Sequence, residues 1–231
     1  LLEQLIRNNG NRLSTGFVGT ASLMLALTNA GLTSTAYDLL LQEEYPSWLF
    51  SVNQGATTVW ERWNSYTVKD GFGDVNMNSF NHYSFGAVGA WMYNYSLGIQ
   101  RDEAYPGFKQ FILKPMPDPT GKMKYARGYY DSMYGRIESS WREERGMIHY
   151  AFTVPGNTTA TLYLPAASLR DVREGEKLIR KCKGIEYIGE GSGQVVLKLL
   201  PGSYSFEVKK EYPMAGKKRK KGEIARSKGT H

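Results

Sequence analysis

The chain has 231 residues, 41% apolar and 13% aromatic, enough to bury the core of one large domain or two ordinary ones. Its net charge of +7 is local, because residues 215–231 hold seven Lys/Arg and one Glu while the rest carries 22 basic and 21 acidic side chains; such a run reads as a solvated tail, and nucleic acid is not the expected partner. One cysteine, Cys182, and three dispersed histidines exclude a disulfide framework and any metal-ligand spacing, so no metal or cofactor is expected, and no run approaches the ~20 apolar residues of a membrane span.

The first residues, LLEQLIRNNG, turn polar too soon for a signal peptide. They start on a leucine inside a helical pattern, and the chain reads as a piece of a longer protein whose compartment is left open. In TASLMLALTNAG, Leu23, Ala26, Leu27 and Ala30 form one apolar stripe, and Gly31 supplies the C-terminal cap. A second helix from Thr33 or Ser34 must end before Pro46, which makes an αα-hairpin. A third short helix is expected over GATTVWERWNS (55–65). A fourth is expected from Ser79 to Leu97, with Gly98 as cap and with Gly86 and Gly89 admitting a close neighbour. The stretch DGFGDVNMNS between them is loop, and Asp70 and Asp74 have the spacing of turn formers.

From residue 113 the pattern changes. LKPMPDPTGK is too proline-rich for a helix and reads as a linker over 113–122. Beyond it the period drops to two, predicting six to eight strands in an antiparallel sandwich over 123–211, with PGSY (201–204) as a hairpin turn. The expected organisation is α+β multidomain: helices over 1–112, linker, sandwich, and a basic tail over 212–231.

Glu61 is the most informative residue. Thr58 and Glu61 match a capping box, in which the carboxylate only ties off its own helix. Against that stands the aromatic setting: on a helix, Trp60 and Trp63 would flank Glu61 at ~100° and ~200°. An indole wall shields a carboxylate from water and offers a flat face to the C–H surface of a sugar, so acid–base work on a carbohydrate competes with the cap. His82, in SFNHYSFG at a helix start, reads either as a structural histidine or as a hydrogen-bond donor to a ligand. His149 and His231 are given no role.

TGFVGT, YPSWLFSVNQGATTVWERWNS and MNSFNHYSFGAVGAWMY, in that order, resemble the C-terminal part of glycoside hydrolase family 78 α-L-rhamnosidases, and TVPGNTTATLYLPA is similar to the small β-domain that follows. The resemblance implies the end of an (α/α)6 barrel, about half of its helices, followed by a β-sandwich, and removal of terminal α-L-rhamnose with inversion. It implies that Glu61 is the general base, that His82 lines the sugar site, and that Trp60 and Trp63 are pocket-wall residues. The general acid would lie upstream of this chain, so the chain would hold half a site, inactive alone, with rhamnose-containing glycosides and the missing N-terminal half as its partners. Two other readings are a non-catalytic carbohydrate-binding or structural fragment and a nucleic-acid binder using the basic tail.

Overall fold

The computed structural model describes residues 1–210, so the basic tail expected over 212–231 lies outside the described residues. Four short helices open the chain: α1 (Leu2–Asn8), α2 (Phe17–Asn29), α3 (Thr33–Leu40) and α4 (Trp48–Asn53). Helices α2 and α3 make the expected hairpin. Gly31 turns the chain at φ +76, a backbone conformation that a Cβ would strain. Leu23 and Leu27 of α2 and Tyr37 and Leu39 of α3 are buried together with Trp91. No helix among the described residues is long and apolar enough to cross a membrane.

The helix expected through residues 55–65 is absent, and those residues form turns and irregular chain. The helical turn lies one segment earlier, in α4, where the Ser47 hydroxyl accepts from the Phe50 amide at 3.1 Å as N-cap. A two-residue hairpin, β1 (Tyr66–Thr67) and β2 (Gly71–Phe72), occupies the following loop. The helix expected from Ser79 starts only at Tyr83. It passes from a 3₁₀ segment (Tyr83–Ala87) through α5 (Val88–Trp91) to a π-helical turn (Met92–Ser96). Gly86 faces Val59, whose Cγ2 would lie 3.2 Å from an added Cβ, so the neighbour this glycine admits is an irregular segment instead of a helix.

The remainder is a sandwich of eleven strands. They are β3 (Ile99–Arg101), β4 (Gln110–Leu113), β5 (Tyr125–Ser132), β6 (Gly135–Glu144), β7 (Met147–Val154), β8 (Thr159–Leu164), β9 (Val172–Glu174), β10 (Lys177–Leu178), β11 (Ile185–Gly191), β12 (Gln194–Leu199) and β13 (Gly202–Lys209). One sheet runs β10-β9-β13-β7-β6-β5 and the other β11-β12-β8-β4-β3. Every pair is antiparallel except β4 with β8. The sandwich therefore takes in residues 99–113, of which the sequence reading had left 99–112 with the helices and 113 in the linker. Their apolar residues Ile99, Phe111 and Leu113 are buried between the sheets, a destination that strands this short do not reveal by periodicity. PGSY is not a hairpin turn either, because β12 and β13 lie in different sheets. Pro201 and Gly202 turn a corner between them, where the Tyr204 hydroxyl donates to the Leu200 carbonyl at 2.8 Å.

The two parts are joined by a polar seam. Trp141 Nε1 donates to the Ser96 carbonyl (2.8 Å), Ser139 Oγ to the Leu97 carbonyl (2.6 Å), and the Tyr37 hydroxyl to the Met116 carbonyl (2.7 Å). Gly98, at φ +73, lies so close to the strap that an added Cβ would sit 2.1 Å from the Pro115 nitrogen. The proline-rich stretch is thus packed against the helices instead of linking two free bodies. Buried Asp118 fixes it, accepting from the amides of Thr120 (2.7 Å) and Met123 (2.8 Å).

Candidate active site

Glu61 and His82 stand on two irregular segments that run side by side. The Glu61 amide donates to the Ser79 carbonyl at 2.9 Å, the His82 amide donates to the Val59 carbonyl at 2.9 Å, and the Thr58 hydroxyl donates to the Phe80 carbonyl. The Glu61 carboxylate joins this clasp, with Oε2 accepting from the Ser79 amide at 2.8 Å. Both halves of the capping-box reading fail here. Thr58 points across to Phe80, and Glu61 reaches eighteen residues along the chain instead of three back.

The two tryptophans face the packing. Trp60 is only 7% exposed and meets Phe80 edge-on, with ring centres 5.3 Å apart. Trp63 is half-buried, stacked on Phe85 at 3.8 Å and edge-on to Trp48 at 5.7 Å. Without a helix over 58–63, the angular argument that set them on either side of Glu61 does not hold. They fix the clasp from behind, and the Ser51 hydroxyl adds a hydrogen bond to the Trp63 carbonyl at 2.8 Å.

His82 is half-buried, with its imidazole stacked on Phe17 at 4.5 Å and parallel to the exposed Tyr83 ring at 5.8 Å. Its Nδ1 accepts a long hydrogen bond, 3.4 Å, from the Ser84 amide. An acceptor at Nδ1 leaves the proton of the neutral ring on Nε2, which makes that nitrogen the donor available to a ligand. Asp70 and Asp74 have the turn roles their spacing implies: Asp70 accepts from Thr67 Oγ1 at 3.1 Å, and Asp74 from the Asn76 amide at 2.9 Å. The sequence reading missed the Ser79 amide, which no side-chain pattern reveals, and Phe17, whose TGFVGT segment had carried resemblance but no role. Among the described residues no group of three or more His, Cys, Asp or Glu side chains could hold a metal ion.

Arranged this way, the site offers one carboxylate oxygen held by an amide, a second oxygen with no hydrogen bond among the described residues, and an oriented imidazole on the adjoining segment. Such a set can take a proton from water and donate to a hydroxyl.

Similarity to known proteins runs along nearly the whole described chain. An α-L-rhamnosidase of Formosa agariphila is 37% identical over 209 residues, covering 90% of this chain and 22% of the relative. One from Streptomyces avermitilis is 41% identical over 165 residues, 71% of this chain and 16% of the relative. The crystal structure of a Streptomyces avermitilis α-L-rhamnosidase complexed with L-rhamnose superposes with a TM-score of 0.77 at 36% identity, covering 89% of this chain and 19% of that one. The α-L-rhamnosidase of Dictyoglumus thermophilum gives 0.74 at 34% identity, covering 91% and 22%. The chain thus spans about a fifth of the length of these relatives. The bacterial alpha-L-rhamnosidase 6 hairpin glycosidase domain matches residues 1–96 and the bacterial alpha-L-rhamnosidase C-terminal domain matches residues 98–178, so the chain belongs to the bacterial α-L-rhamnosidase family.

Proposed function

We propose that this chain contributes the general-base half of an inverting α-L-rhamnosidase site, completed by the part of the longer protein that carries the general acid. Glu61 takes a proton from the attacking water as that water adds to the anomeric carbon, and an acid elsewhere protonates the departing oxygen. Inversion requires the two carboxyl groups to stand ~6.5–9.5 Å apart so that the water fits between them. His82 donates from Nε2 to a sugar hydroxyl, and Trp60 and Trp63, packed on Phe80 and Phe85, hold the Glu61 segment from behind.

The observation that carries this reading is the anchoring of Glu61. One oxygen is pinned by the Ser79 amide, which orients the carboxylate, and the other is left to accept a proton. A glutamate spent on capping its own helix would be held by an amide three residues back, whereas this one is held by the segment that carries His82.

The test uses the full-length protein with an α-L-rhamnoside. Glu61→Gln should lower turnover by ~10²- to 10⁴-fold with little change in substrate affinity, because a general base acts mainly in the transition state. Sugar freshly released by the unsubstituted enzyme should be the β-anomer by NMR. Undiminished turnover in the variant, or release of the α-anomer, would refute the proposal.

A further inference from the structure

The outer face of the six-stranded sheet bears a trough unconnected with Glu61. Strand register aligns Arg127, Ser140, Ala151 and Ser205 across β5, β6, β7 and β13, so that small side chains form one row running across the strands. Two rows flank it, each led by a tyrosine at β5. On one side Tyr129, Glu138, Thr153 and Ser203 are in register; on the other, Tyr125, Arg142, His149 and Glu207. Cavities of about 710 and 510 Å³ lie over this face and overlap at Arg127, Ser140 and Ala151. Three strand spacings make the trough ~14 Å long, and a two-residue step on each side sets its walls ~7 Å from the floor row.

The walls are held in place. Arg136, doubly bonded to Asp131 at 2.8 and 3.1 Å, lies 3.8 Å over the Tyr129 ring and keeps it upright. Thr153 Oγ1 donates to Glu138 at 2.8 Å, and His149 lies 3.3 Å from Glu207. The Arg127 guanidinium, at the open end, makes no ion pair or hydrogen bond among the described residues, so its fork of donors is available. The walls carry both signs, Glu138 on one and Arg142 and Glu207 on the other, which gives no single sign to attract a polyanion. The serine and alanine floor offers too little apolar surface for a hydrophobic segment. Narrow width, small floor, tyrosine rings with polar tips and mixed donors and acceptors together suit a chain of uncharged hydroxylated rings.

We propose that this trough binds a neutral oligosaccharide, as a second saccharide site separate from the Glu61 region. The test is calorimetric titration of the protein with a neutral rhamnan tetrasaccharide, with a sulfated oligosaccharide of the same length for comparison. Saturable binding should weaken at least tenfold in Ala151→Phe, which fills the floor, and persist in Ala151→Ser. It should also persist in His82→Ala, which removes a proposed sugar contact in the Glu61 region and so separates this site from the proposed catalytic one. Ala151→Phe sits on an exposed strand face and should keep the unfolding midpoint, so a loss of binding reports the trough. No saturable binding, binding indifferent to Ala151→Phe, salt-sensitive preference for the sulfated probe, or loss of binding in the full-length protein would each overturn the proposal.

Discussion

The sandwich and the helical part bury their apolar residues in opposite ways. The two sheets close on themselves, and Phe111, Ile137, Leu162, Leu197 and Phe206 are completely shielded between them. The helices shield Leu27, Tyr37, Leu39 and Trp91 but leave Leu1, Val18, Val75 and Tyr83 each more than 85% exposed. The candidate site lies in this less complete part, on chain that is neither helix nor sheet and is tied by a few long-range hydrogen bonds. The contrast separates two tasks. Stability resides where the hydrophobic core is self-contained, and the candidate site stands where backbone amides, not close packing, position the side chains.

If the sandwich braces the helices through the seam, the largest effect should come from Trp141. Its indole is 1% exposed and bonds the Ser96 carbonyl, so Trp141→Ala should cost ~3–5 kcal/mol in denaturant unfolding, and the helical part should then melt separately. A single cooperative transition in that variant would show that Trp141 is not what couples the parts. Gly98→Ala should follow, at ~1–3 kcal/mol for backbone strain at φ +73, plus the clash with Pro115. Unchanged stability there would remove Gly98 from the seam. Within the helical part alone, Ser47→Ala should cost ~1 kcal/mol by removing the cap of α4, visible as a small fall in the same midpoint.

How much of this was legible in the sequence depended on whether a feature was local. The α2–α3 hairpin could be read because Gly31 and the apolar stripe lie within a few residues of what they control. The alternation in β6 and β7 was likewise a local pattern. The strands at 99–113 escaped because they are only three and four residues long, and β8, the strand that ties β4 into the sheet, comes some fifty residues later. The corner at Gly202 looked like a hairpin because sequence shows a turn but not which sheet each strand joins. At the candidate site, Glu61, His82 and the tryptophans could be singled out by type. Their arrangement could not, since Thr58 and Glu61 form a capping box by spacing, and only the Phe80 carbonyl and Ser79 amide draw them away from it. Long-range backbone partners decided the site's geometry, and single-sequence patterns do not carry them.

The smallest expected effect puts an acid-sensitive group inside the more self-contained part. Burial alone would raise the Glu143 carboxyl, but hydrogen bonds from Lys210 (2.5 Å) and Lys124 (3.2 Å) hold it below the usual carboxylate value. A carboxyl lowered in the folded state binds fewer protons there than in the unfolded chain. Its stabilisation is therefore complete above the unfolded carboxylate value and drains away as pH falls through the folded one. The unfolding midpoint should decline with acid below about pH 5, the region where unfolded glutamates begin to take up protons, and Glu143→Gln should flatten that decline while lowering the plateau at neutral pH. A variant with an unchanged acid slope would assign the sensitivity elsewhere. A flattened slope with both parts still melting together would instead mean that the sandwich transmits its own acid loosening through the seam, which would make the two parts less independent than their cores suggest.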